Sequence, residues 1–189
     1  MLIASMLMLI ILAFMAVELY HNFTVQQNMS SNTKEKGRAF QMAQSTLQYA
    51  EYQLLNSGLL IEPISSCSAP PSSSSVLTIC NIQSGGVAWA NPTSSTPVAM
   101  TNGMTFNPTT VDPSFNLTFS STGSGQSNYF QLPQYFVEYL GNGLSSTCPS
   151  TPSQLYLNTA LAYGGTGGTV AVVQSTYQLQ TTVCNTGAP

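Results

Sequence analysis

The chain has 189 residues and 20.1 kDa, with three basic and six acidic side chains, so that 5% of its residues are charged against an ordinary share of about 25%. That length holds one domain with a sizeable core once an N-terminal rod is set aside, and not comfortably two. All three basic residues, Lys34, Lys36 and Arg38, fall within "KEKGR", which leaves the rest of the chain without the clustered positive charge that nucleic-acid recognition needs and excludes that class of partner.

The first element is the apolar run "MLIASMLMLIILAFMAVELYHN" at residues 1–22. It is uncharged until Glu18, just short of the roughly 20 residues that span a bilayer. A secretion signal is a poor reading, because no Lys or Arg precedes the run and Leu19, Tyr20 and His21 follow it where a small-residue cleavage site would stand. No proline occurs before Pro63, and helix-compatible sequence continues to about Leu55. The run therefore reads as the first half of one helix on the order of 80 Å long, with weak points at residues 22–28 and at Gly37 and a stop at Asn56-Ser57-Gly58. In its second half Phe40, Ala43, Leu47, Ala50 and Leu54 fall on one stripe, with Gln41, Gln44, Gln48, Glu51 and Gln53 off it, so this half packs on a domain. Three segments follow: a hydrophobic helix at 1–27, its amphipathic continuation at 28–58, and a β-rich globular part at 59–189.

After the helix, "ISSCSAPPSSSS" reads as a loop, and "VLTICNIQ", "MTFNPTT" and "FNLTF" as short strand-like pieces. Trp89, in "GGVAWANP", reads as a core or loop anchor. The last third is clearer. The runs "YFVEYLG", "LYLNTALAYG" and "TVAVVQSTYQLQTT" predict an antiparallel meander, the last two joined by a hairpin turn at "GGTGG". In the final run Val173, Ser175, Tyr177, Leu179, Thr181 and Val183 share the face expected against the helix, with Gln174, Thr176, Gln178 and Gln180 facing water. The fold class is α+β, a long protruding N-terminal helix whose second half lies across an antiparallel sheet.

Cys67, Cys80, Cys148 and Cys184 make an even count in a chain that leaves the cytoplasm, which favours two disulfides. Three connectivities satisfy four cysteines. The expected pairing is Cys67 with Cys80 and Cys148 with Cys184, each closing a modest loop. A metal site is not expected, since the nearest cysteines have twelve residues between them and the only histidine is His21. No catalytic constellation stands out either: Glu51, Glu62, Asp112 and Glu138 are scattered, and "GGTGGT" lacks the Lys and following helix of a phosphate loop. The sequence calls for no cofactor and no enzymatic activity.

Three stretches resemble the type IV pilins, and within them the PilX-type minor pilins. They are the apolar helix running into "NMSSNTKEKGRAFQMAQSTLQYAE" at residues 28–51, "QYFVEYLG" at 134–141, and "ALAYGGTGGTVAVVQSTYQL" at 160–179, while residues 64–131 carry no likeness. The resemblance implies a prepilin cut by a prepilin peptidase after a short basic leader, often N-methylated on its new first residue, and a start at Met1 fits a leader already removed. It implies a single-pass inner-membrane protein that the pilus assembly machinery builds into an extracellular filament on the bacterial surface, with other copies of itself or other pilins as partners. Most pilins carry glutamate at the fifth mature position, where this chain has Ser5. That departure suits a specialised low-copy subunit that primes or tips the filament, or adheres; the main expectation is a filament-forming structural subunit. Met1, Ser5, Glu18, Lys34, Lys36 and Arg38 are the residues expected in assembly. Glu18 reads first as a solvated group at the membrane edge and second as a partner for Lys34, Lys36 or Arg38 of another subunit. A surface solubilised by hydroxyls and amides scarcely changes its charge as pH falls, which points to strongly acidic surroundings.

Overall fold

The computed structural model describes residues 2–56, 77–81, 103–123, 125–143 and 153–179. Helix α1 (Leu2–Asn56) runs unbroken for 55 residues, and the expected weak points at residues 22–28 and Gly37 stay helical. Thr24 and Thr33 are accommodated because their hydroxyls turn back onto the helix, Thr24 Oγ1 donating to the carbonyl of Tyr20 or His21 at 3.0 and 2.9 Å, and Thr33 Oγ1 to that of Met29 at 2.9 Å. The stop at Ser57 and Gly58 lies outside the described residues.

The head is a five-stranded sheet of β1 (Ile79–Asn81), β2 (Met104–Thr105), β5 (Gln134–Gly143), β6 (Ser153–Tyr163) and β7 (Val170–Leu179), in the order β1-β5-β6-β7 with β2 beside the start of β5. Strands β5, β6 and β7 form the expected antiparallel meander. The sheet as a whole is mixed, because β1 lies parallel to β5 with Ile79 opposite Val137. Far more chain separates these two strands than the dozen or so residues a parallel connection requires. Where β5 and β6 slip register between Tyr139 and Gly141, Gly141 takes φ 120°, a left-handed value that a side chain would strain.

"MTFNPTT" is not one strand. Only Met104–Thr105 is extended; Pro108–Val111 then forms a single helical turn, α2. Asn107 caps it, its Oδ1 accepting from the Thr109 N–H at 3.1 Å, and Pro108 supplies the fixed first φ. Within "FNLTF" only Thr118–Phe119 (β3) is extended, and it pairs in parallel with β4 (Asn128–Tyr129) as a separate two-stranded ribbon. Trp89 and "ISSCSAPPSSSS" lie outside the described residues.

One face of the sheet carries the second half of α1, in contact with β5, β6 and β7. The helix buries Ala39, Met42, Ala43, Thr46, Ala50 and Leu54 there, against Tyr135, Val137, Tyr156, Ala160 and Ala162. This corrects the stripe expected from periodicity: Phe40 is 48% exposed and its neighbour Ala39 faces the sheet. Ala39, Ala43 and Ala50 have no exposed surface, and small side chains let helix and sheet approach closely where phenylalanine would hold them apart. Alternate residues of β7, Val173, Tyr177 and Leu179 among them, turn toward the helix as expected. Behind the sheet Cys80, Phe136, Leu161 and Tyr163 make a second cluster. Cys80 is disulfide-bonded; Cys67, Cys148 and Cys184, and with them the expected pairing, lie outside the described residues.

Candidate assembly interface

Along α1 the burial changes abruptly. Large apolar side chains from Leu2 to Met29 stand in the open, among them Phe14 at 71% and Leu19 at 70%, and no residue before Glu35 packs on the head. From Leu2 to Val17 the only polar side chain is Ser5, so no face of that stretch prefers water, and the helix contains a run long and apolar enough to cross a membrane. A rod of this kind buries itself only in lipid or among other apolar rods.

Ser5 lies within it, and its Oγ donates to the Leu2 carbonyl at 2.8 Å. The hydroxyl proton is thereby spent, and only its lone pairs remain to accept from another group. Met1 lies outside the described residues. Glu18 is exposed one helical turn from His21, which lines the same shallow surface with Val17 and Asn22. Lys34 stands sixteen residues further along, about 24 Å up the same helix, so any pairing between Glu18 and Lys34 or Lys36 joins two subunits. Both lysines are exposed and available for it.

Arg38 is already committed within its own chain. Its Nη1 donates to Glu35 Oε1 at 2.8 Å, its Nη2 to the Asn128 carbonyl at 2.7 Å, and the guanidinium lies 4.7 Å over the ring of Tyr129. These two bonds use two of the five guanidinium N–H donors. The other oxygen of Glu35 accepts from the Gly165 N–H at 2.6 Å, in the turn between β6 and β7. A Cβ at Gly165 would stand 2.9 Å from that oxygen, so a side chain there would make the Glu35 carboxylate shift. Burial by itself would raise the Glu35 carboxyl; the Gly165 N–H, the Arg38 guanidinium and the nearby Lys34 outweigh it and hold the group below the usual carboxylate range.

Glu35 and Arg38 thus form a clasp where the free rod becomes the bound half of the helix. Higher up, Ser175 Oγ donates to Glu51 Oε1 at 2.6 Å, so Glu51 also meets the sheet rather than open water. Sequence reasoning did not single out Glu35, because the basic residues of "KEKGR" drew attention to net charge. The readable signal was a Glu and an Arg three apart on one helix face.

One buried acid belongs to no site. Glu138, on β5 between Cys80 and Leu157, is 1% exposed, its Oε1 has no hydrogen-bond partner, and burial lifts its carboxyl above the usual range. Among the described residues no group of three or more His, Cys, Asp or Glu side chains comes together as a metal site.

The described chain is thus an exposed apolar rod continuous with a helix half that packs on a small α+β head. A family model described as "Type IV pilus assembly protein PilX C-term" matches residues 37–179, which covers the bound half of α1, the whole described head and the middle of the chain, where the sequence motifs carry no likeness. No curated protein and no solved structure matches. With well over half of its length matched, through to the last strand, the chain belongs to the PilX family of type IV pilus assembly proteins.

Proposed function

We propose that the protein is a structural subunit of a type IV pilus-like extracellular filament. The single observation that carries this reading is the unpacked apolar half of α1, rigidly continuous with a helix half that the head holds fast. In this account the rod at residues 1–27 sits first in the inner membrane, as a single pass, and is moved by the pilus assembly machinery into a core made of the same segments of neighbouring pilins. That exchange replaces one apolar medium by another, so its direction is set by close packing and by polar pairing rather than by hydrophobicity. Lys34, Lys36 and Arg38 are the groups offered to a neighbour's Glu18, Met1 and Ser5 belong to the same assembly contact, and two disulfides brace the head outside the cell.

The low charge fits the same setting. A head that depends on hydroxyls and amides for solubility changes its charge little from about pH 7 to about pH 2, so filaments are expected to persist over that range when followed by light scattering and imaging. Disassembly in acid would refute the acid-habitat reading.

A second reading is favoured by Ser5, whose hydroxyl offers only a neutral hydrogen bond where a carboxylate would give a charged one. A weaker hold on the Met1 amine suits a low-copy subunit that primes or tips the filament, or serves as its adhesin. Quantifying this chain in sheared surface filaments decides between the two: copies in proportion to filament length support the structural role, and about one per filament supports the tip role.

A further inference from the structure

A cleft of about 760 Å³ opens on the head between the ends of β2, β3 and β4, away from α1. Two phenyl rings, Phe119 and Phe130, stand in its wall, half-buried and already fixed from behind. Phe119 stacks on Tyr129 with ring centroids 5.9 Å apart, and Phe130 packs on Tyr163 at 5.7 Å. Between and beside them the wall offers the carboxamides of Asn107 and Gln131 and the hydroxyls of Ser120 and Ser121. Asn107 is oriented by its capping role, which occupies Oδ1 and leaves the Nδ2 donors for a ligand. Gln131 and Ser121 are exposed. Among the described residues no Asp, Glu, Lys, Arg or His lines the cleft.

We propose that this cleft binds a neutral saccharide. The volume falls in the range of small-molecule sites, about 300–1,000 Å³. Rings held in place lose little freedom on binding and present flat apolar faces to the C–H face of a sugar. Carboxamides and hydroxyls both donate and accept, which matches vicinal sugar hydroxyls, themselves donors and acceptors. A phosphate, a carboxylate or an ammonium would be desolvated here with no opposite charge to receive it, so charged ligands and acidic sugars are selected against. The site stands apart from the apolar rod and does not depend on polymerisation.

The test uses the full chain in a detergent without a sugar headgroup, with maltotetraose, cellotetraose, mannotetraose and chitotetraose as probes and tetragalacturonate as the charged control. Saturation-transfer NMR at about 10 mM sugar reports dissociation constants into the millimolar range. At least one neutral tetrasaccharide is expected to bind, and the galacturonate is not. Ser121→Trp, which fills the cleft from an exposed position, and Gln131→Ala, which removes one donor and acceptor, are each expected to weaken binding by about fivefold or more without changing the thermal unfolding of the head. Because no titratable side chain among the described residues lines the cleft, affinity is expected to be the same at about pH 3 and about pH 7. Failure of every neutral probe, equal binding of the galacturonate, or undiminished binding to Ser121→Trp would overturn the proposal.

Discussion

The two halves of α1 are one continuous helix in two different situations. Below Glu35 every large apolar side chain is open; above it, alanines at positions 39, 43 and 50 have no exposed surface at all. The lower half is built from bulky, flexible side chains that can fill the gaps between neighbours of several shapes, methionine especially. The upper half sets small ones, Ala39, Ala43 and Ala50, among Met42 and Leu54 to fit one surface. The difference matches the two tasks that the proposed role as a filament subunit would require. One half carries a stable head, and the other stays available for partners outside the chain.

The comparison breaks first at Leu54, which is 2% exposed in the main core. Leu54→Ala should cost the head about 2–5 kcal/mol in denaturant unfolding, whereas Ile10→Ala should leave head stability unchanged and alter only assembly. Equal effects of the two would mean that the halves are not energetically distinct.

The clasp comes next. Arg38→Ala removes two charge-assisted hydrogen bonds and a ring contact, and should destabilise the head by about 1–3 kcal/mol. Its effect should depend on pH. The Glu35 carboxyl is held below its unfolded value of about 4.3, so its contribution is present above that pH and is lost as pH falls through the folded value. An Arg38→Ala penalty that is the same at about pH 2 and about pH 7 would mean that packing, not the ion pair, holds the joint.

Glu138 should show the opposite sign. Its folded carboxyl is raised, so the stability of the protonated form is fully present below about 4.3 and is lost as pH rises through the folded value. Glu138→Gln should therefore stabilise the head by about 1 kcal/mol near pH 7 and by nothing near pH 3, measured by urea unfolding at both. Two acids, one in the clasp and one behind the sheet, thus respond to acid in opposite directions. The smallest effect is expected at Ser5: Ser5→Glu should leave head stability untouched and raise filament yield by a few fold, and an unchanged yield would mean that another group satisfies the Met1 amine.

Much of this was legible in the sequence. The length of α1 followed from an absence of proline, the β5–β7 meander from β-rich runs, and its tight turn from five residues of which four are glycine. The orientation of β7 followed from simple alternation. What the sequence hid were matters of partnership at long range. Periodicity favoured Phe40 because it weighs bulk, while the sheet selected Ala39 for closeness. The parallel seat of β1 beside β5 and the bond from Glu35 to Gly165 join residues far apart in the chain, and no local pattern records them. The cap of α2 was within reach, since Asn107-Pro108 is a helix-start signal that the surrounding strand-like residues outweighed.

The central claim is that the lower half of α1 is buried among other pilin helices once the filament is built. Ile10→Cys places a thiol in the middle of the rod, at a position 50% exposed in the single chain. Labelling with a maleimide should reach it in detergent-dispersed subunits and fail in intact sheared filaments, with Lys36→Cys reactive in the dispersed state as a control. Protection of Ile10→Cys that disappears when detergent dissolves the filament is the result this account predicts; full labelling of Ile10→Cys in intact filaments containing the chain would contradict it.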